Sequence, residues 1–147
     1  MKMGIITLLI VIGIFPLTVA NILNTSQTQI NVQAPAPTPD AEQIAYGIEV
    51  YRSQYCGMCH TLTVASTGGT FGPSHDGIGT IAEERIQAEA YTGKATTAED
   101  YLRESIVEPA IFRVPEFSLS NHQMPPYSHL PAEDIEAMVY LLINQVD

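Results

Sequence analysis

The run QYCGMCHTL, residues 54–62, holds the only two cysteines of the chain, Cys56 and Cys59, with His60 directly after the second. Thiols at this spacing fit three chemistries. A redox dithiol belongs in a βαβ setting with a helix starting at its first cysteine. Here an amphipathic pattern ends at the pair and no strand-like run precedes it. A structural zinc site takes four ligands, commonly a second cysteine pair or two histidines three to five residues apart. This chain has no third cysteine, and His122 and His129 are too far apart for such a knuckle. A disulfide across two intervening residues is strained. The remaining reading is C-x-x-C-H, the attachment signal of haem c. Two thiols add across the two vinyl groups as thioethers, and the adjacent His60 is delivered to the iron.

A haem iron held by His60 has a second axial position, for which the candidates are Met124, Met138, His75, His122 and His129. Met58 lies between the two anchoring cysteines and cannot reach round the ring. Met138 falls on the apolar stripe of a helix, where methionine commonly fills a core. Met124 stands in NHQMPPY, stiffened by Pro125 and Pro126, which lowers the entropy lost in holding a thioether on a metal. His122, two residues earlier, is the competing ligand. A His/Met pair raises the reduction potential and a bis-His pair lowers it. Arg85, Tyr91 and Arg103 have the chemistry to meet haem carboxylates, although solvated helix faces account for them equally well.

The elements that must position these groups read as helical. Asp40 is an N-cap after Pro39, and Ile44, Gly47, Ile48, Tyr51 and Tyr55 recur at helical spacing, which predicts a helix running into Cys56. Pro131 opens a last helix with Glu133, Asp134 and Glu136 in its first turns and Ile135, Met138, Val139, Leu142 and Val146 on one face. Two shorter helices are predicted between them. One spans roughly residues 80–90, and the other is capped by Thr96 with Glu99 three residues on and stops before Pro109. No stretch alternates with period two, so the fold class is all-α. The long segments 61–79 and 109–130 have few regularly spaced apolar residues. Loops of that length usually wrap something, and a large apolar cofactor would supply the missing interior.

Residues 1–23 read MKMGIITLLIVIGIFPLTVANIL, a lysine followed by an uncharged apolar run, which predicts a transmembrane anchor or a signal segment. Lys2 would stay cytoplasmic, leaving the remainder outside the cell membrane; cleavage would instead release a soluble exported domain. Residues 24–39 turn polar and then alternate Ala and Pro, a tether favouring polyproline II. Residues 40–147 form the predicted haem domain. The net charge is −10, and all sixteen Asp and Glu lie from Asp40 onward. Such a surface repels nucleic acid and anionic lipid and favours a partner with a basic docking patch.

These features together resemble class I monohaem cytochromes c of the membrane-anchored bacterial type, over about residues 41–147. The matching positions are Gly47 and Tyr51 in the first helix, Cys56 to His60, Gly72-Pro73, Met124-Pro125, and Tyr140 in AMVYLL. The resemblance implies four short helices around one covalent haem, with first and last helices crossing where Gly47 meets Tyr140. It also implies that the Pro73 carbonyl receives the proximal imidazole N–H, a contact that would fix the ring. His75 departs from the pattern, which usually has leucine there. The implied activity is one-electron transfer with redox-protein partners, as a tethered carrier or a subunit of a respiratory or photosynthetic complex. No nucleophile or general base constellation is evident, so neither an enzymatic role of its own nor a small-molecule substrate is expected. A haem-based gas sensor or small peroxidase, with an open distal site, is the alternative.

Overall fold

Asp40 starts the first helix as the spacing predicts. In the computed structural model, which describes residues 39–146, its carboxylate accepts from the amides of Glu42 (2.9 Å) and Gln43 (3.3 Å). These are two of the donors that a helix N-terminus leaves without partners. Helix α1 (Ala41–Ser53) stops short of Cys56. Tyr55 adopts a left-handed conformation (φ 58°), which takes it off the apolar stripe and leaves it 71% exposed. That break redirects the chain into a 3-10 turn at Cys56–Met58, where the amides of Cys59 (3.1 Å) and His60 (3.0 Å) both donate to the Cys56 carbonyl.

Next comes a two-residue antiparallel ladder, β1 (Thr61–Leu62) with β2 (Thr67–Gly68), too short to leave an alternating pattern in the sequence. Helices α2 (Ile78–Gln87), α3 (Ala98–Val107) and α4 (Ala132–Ile143) complete the regular structure. The described residues are thus mostly helical. Thr97, not Thr96, caps α3, its hydroxyl accepting from the Asp100 amide at 3.2 Å. Both threonines have an acidic residue three positions on, so the cap signal alone does not choose between them. Pro131 stands just before α4 rather than inside it, and Val146, past the helix end, is exposed.

Helices α1 and α4 cross closely in the core. A Cβ on Gly47 would sit 2.5 Å from the Ala137 carbonyl oxygen and 2.8 Å from the Leu141 Cβ, so only glycine permits this approach. The crossing is therefore where the sequence puts it, but the nearest atoms belong to Ala137 and Leu141 rather than Tyr140. The Tyr140 hydroxyl instead accepts from the Asp40 amide (2.9 Å). Tyr51, Leu62, Ile78, Met138 and Leu141 are the largest fully buried side chains. Segment 1–23 and the tether 24–39, apart from Pro39, lie outside the described residues, as does Asp147. No helix among the described residues is long and apolar enough to cross a membrane.

Candidate functional site

The two long loops do wrap a space. Residues of 71–78 and 108–127 join the inner faces of α3 and α4 around a cavity of about 570 Å³, within the ~300–1,000 Å³ typical of cofactor sites. Ile78, Leu102, Ile106, Phe112, Met138 and Leu142 make much of the wall apolar. All five residues singled out as site candidates, Cys56, Cys59, His60, Pro73 and Met124, line this one cavity.

His60 is the most constrained of them. It is 7% exposed, and its Nδ1 lies 2.7 Å from the Pro73 carbonyl oxygen. A carbonyl only accepts, so Nδ1 bears the proton and Nε2 keeps its lone pair. Burial holds the imidazole pKa below its ordinary value, outweighing the Pro73 bond that pulls it up, and the Arg85 cation adds to the lowering. The ring is neutral at pH 7, the form a metal requires. Gly72 seats it closely: a Cβ there would come 2.4 Å from the His60 Cε1. The Gly72 amide in turn donates to the Cys59 carbonyl (2.9 Å), tying the loop to the turn that carries the thiols.

Cys56 and Cys59 are free, half-buried thiols. Burial pushes the Cys56 thiol up to about 11, the opposite of what a redox nucleophile needs. Thr67 braces the turn from outside, its hydroxyl donating to the His60 carbonyl (3.1 Å) and accepting from the Leu62 amide (3.0 Å).

Among the candidates for a second axial ligand, His129 is absent from the cavity wall, while Met124, Met138, His75 and His122 line it. His75 is half-buried, and its ring stacks on that of His60 (centroids 4.0 Å apart, 12° between planes). The exposed His122 ring stacks on Phe71 (4.1 Å). Met138 is a core residue at 2% exposure. Met124 belongs to a loop pinned by Tyr127, whose amide donates to the Ile106 carbonyl (3.1 Å) and whose hydroxyl donates to the Gln54 carbonyl (3.2 Å).

Of the three side chains suited to haem carboxylates, only Arg85 reaches the cavity, where its guanidinium donates to the Tyr101 hydroxyl (3.2 Å). Arg103 is engaged by Glu136 of α4 (2.7 Å) and Asp100 (2.9 Å). The Tyr91 hydroxyl donates to Glu104 (2.6 Å). Tyr127 and the role of His75 escape a reading of residue types alone. The one available signal for His75 was a ring standing where an aliphatic residue is usual; Tyr127 had none beyond following two prolines.

As chemistry, the site offers one neutral imidazole with a free Nε2, two thiols on the adjoining turn, and a thioether in a braced loop. No group of three or more His, Cys, Asp or Glu side chains able to hold a bare metal ion is present among the described residues. A metal brought inside its own macrocycle, carrying four donors, fits this sparse axial set and the apolar walls. Comparison with protein-family models, with curated proteins and with solved structures finds no match for this chain.

Proposed function

We propose that this chain is a one-electron carrier holding a single covalent haem c in a class I cytochrome c fold, outside the cytoplasmic membrane. The reading assigns residues 1–23 to a membrane anchor and residues 24–39 to its tether. It makes the protein a tethered carrier or a subunit of a respiratory or photosynthetic redox complex. The observation that carries it is the convergence of C-x-x-C-H, a Pro73-bonded neutral His60 and Met124 on one apolar cavity.

Bound haem would supply a single iron cycling between two oxidation states one electron apart. Cys56 and Cys59 would hold it as thioethers, each S–H adding across one vinyl double bond with no atom lost. His60 would bind iron through Nε2, while its Nδ1–H stays on the Pro73 carbonyl and raises the basicity of the ligand. Met124 would offer its thioether to the iron as the second protein ligand, from a loop held by the bonds of Tyr127 to Ile106 and Gln54. Arg85 and Tyr101 would meet a carboxylate at the cavity wall. If Met124 held the iron together with His60, oxygen and small molecules would find no open site, and that would separate a carrier from a sensor or peroxidase. The acidic surface suits a redox partner with a basic docking patch.

Visible and near-infrared spectra of the purified full chain test the ligand set. The reading predicts a c-type reduced spectrum, a weak near-infrared sulfur-to-iron band in the oxidised form, and no response of the reduced form to carbon monoxide. Loss of the sulfur band transfers the ligand role to His122, and rapid carbon monoxide binding refutes the closed site in favour of a sensor or peroxidase.

A further inference from the structure

We propose that His75 is a positioning residue that fixes the rotational angle of the His60 imidazole; the inference rests on the haem reading above. The Pro73 carbonyl bonds one corner of the His60 ring, which sets where that corner lies but leaves the ring free to tilt about it. A second flat ring 4.0 Å away and within 12° of parallel removes that freedom. His75 can act as such a template because it is itself held at two points. Its amide donates to the Thr61 carbonyl at 2.8 Å. Its Nδ1 shares a hydrogen bond of 3.1 Å with the hydroxyl of Tyr51, a residue only 1% exposed in the α1–α4 core.

Helix α1, through Tyr51, thereby reaches the ligand ring by way of His75. An aliphatic side chain at position 75 fills volume but has no plane to impose. The plane of an axial imidazole decides which iron d orbitals it overlaps, so the angle is readable in the magnetic spectrum of the ferric state without any activity assay.

The test compares the full-length haem-carrying protein with H75L, H75F and Y51F by electron paramagnetic resonance of the oxidised form, with midpoint potentials alongside. Wild type should give one narrow low-spin signal. H75L should keep its haem and its near-infrared sulfur band, but its low-spin signal should broaden or split with a displaced largest g value. H75F, which retains a flat ring but loses the bond to Tyr51, should fall between wild type and H75L. Y51F, which keeps the ring and frees it, should broaden the signal part of the way, and it decides the matter if H75L carries no haem. An H75L or Y51F spectrum superimposable on wild type overturns the proposal, as does an H75F protein that behaves like H75L. A wild type without covalent haem overturns the parent reading instead, so the two failures are distinct.

Discussion

Adding one methyl group at Gly72 is predicted to dislodge the His60 ring. The new Cβ would sit 2.4 Å from Cε1, 2.9 Å from Nδ1 and 3.1 Å from Nε2. Carbon atoms in contact settle at ~3.5–4.0 Å, so the ring must retreat by about 1 Å. It has little room to do so, because the stacked His75 ring and the 2.7 Å bond to the Pro73 carbonyl both hold it in place. Overpacking of this kind costs about 1–3 kcal/mol. Stretching the Pro73 bond beyond hydrogen-bond range adds about 1 kcal/mol. A loss of roughly 2–4 kcal/mol lowers the melting midpoint of a domain this size by at least about 8 °C. Gly68 provides the control, since a Cβ there meets nothing within 4 Å, and an exposed change of that sort stays within about ±0.5 kcal/mol. The assay is thermal unfolding followed by far-ultraviolet circular dichroism on wild type, G72A and G68A, with the near-infrared spectrum recorded at each midpoint. G72A melting together with G68A, with an unchanged spectrum, refutes the close seating of His60.

Three further outcomes are predicted. G47A drives a Cβ to 2.5 Å from a backbone oxygen of α4, so its denaturant midpoint should fall by the equivalent of about 1–3 kcal/mol, and an unchanged midpoint contradicts the α1–α4 crossing. Arg103 holds the Glu136 carboxyl below its ordinary range, so the pair stabilises the fold above that range and its contribution disappears as pH falls through the depressed folded pKa. Both partners are partly exposed, so R103M should cost at most about 1 kcal/mol at neutral pH, and its difference from wild type should vanish in acid and in concentrated salt. Y127F removes the bond to the Gln54 carbonyl at a cost of about 0.5–1.5 kcal/mol; carbon monoxide should then bind the reduced variant faster than wild type, and equal rates contradict the role of Tyr127 in bracing the Met124 loop.

What the sequence made legible follows from how local each signal is. Asp40, the spacing from Ile44 to Tyr51 and the run from Ile135 to Leu142 are short-range patterns, and α1 and α4 appear where those patterns lie. The Pro73 carbonyl also meets the His60 ring, a contact that the family resemblance implied and that no local pattern of these residues would have given. Boundaries set by competing neighbours were less readable. Thr97 displaced Thr96 as a cap, and the left-handed Tyr55 ended α1 before the cysteines. Contacts between distant segments were not readable at all. The His60–His75 stack depends on a loop folding back on itself, and Arg103 found Glu136 of another helix rather than the cavity. Residue chemistry alone made Arg85 and Arg103 equivalent; tertiary placement separated them.

The most direct test of the central claim is whether the unfolded chain still carries haem. Full-length protein, made in a host equipped to attach haem outside the cytoplasm, should be denatured in acid and extracted with an organic solvent, and its intact mass and haem absorbance then measured. The account predicts one haem per chain that survives extraction, and none surviving in the double variant C56S/C59S. A wild-type chain that emerges at its bare polypeptide mass, with both thiols free, contradicts it.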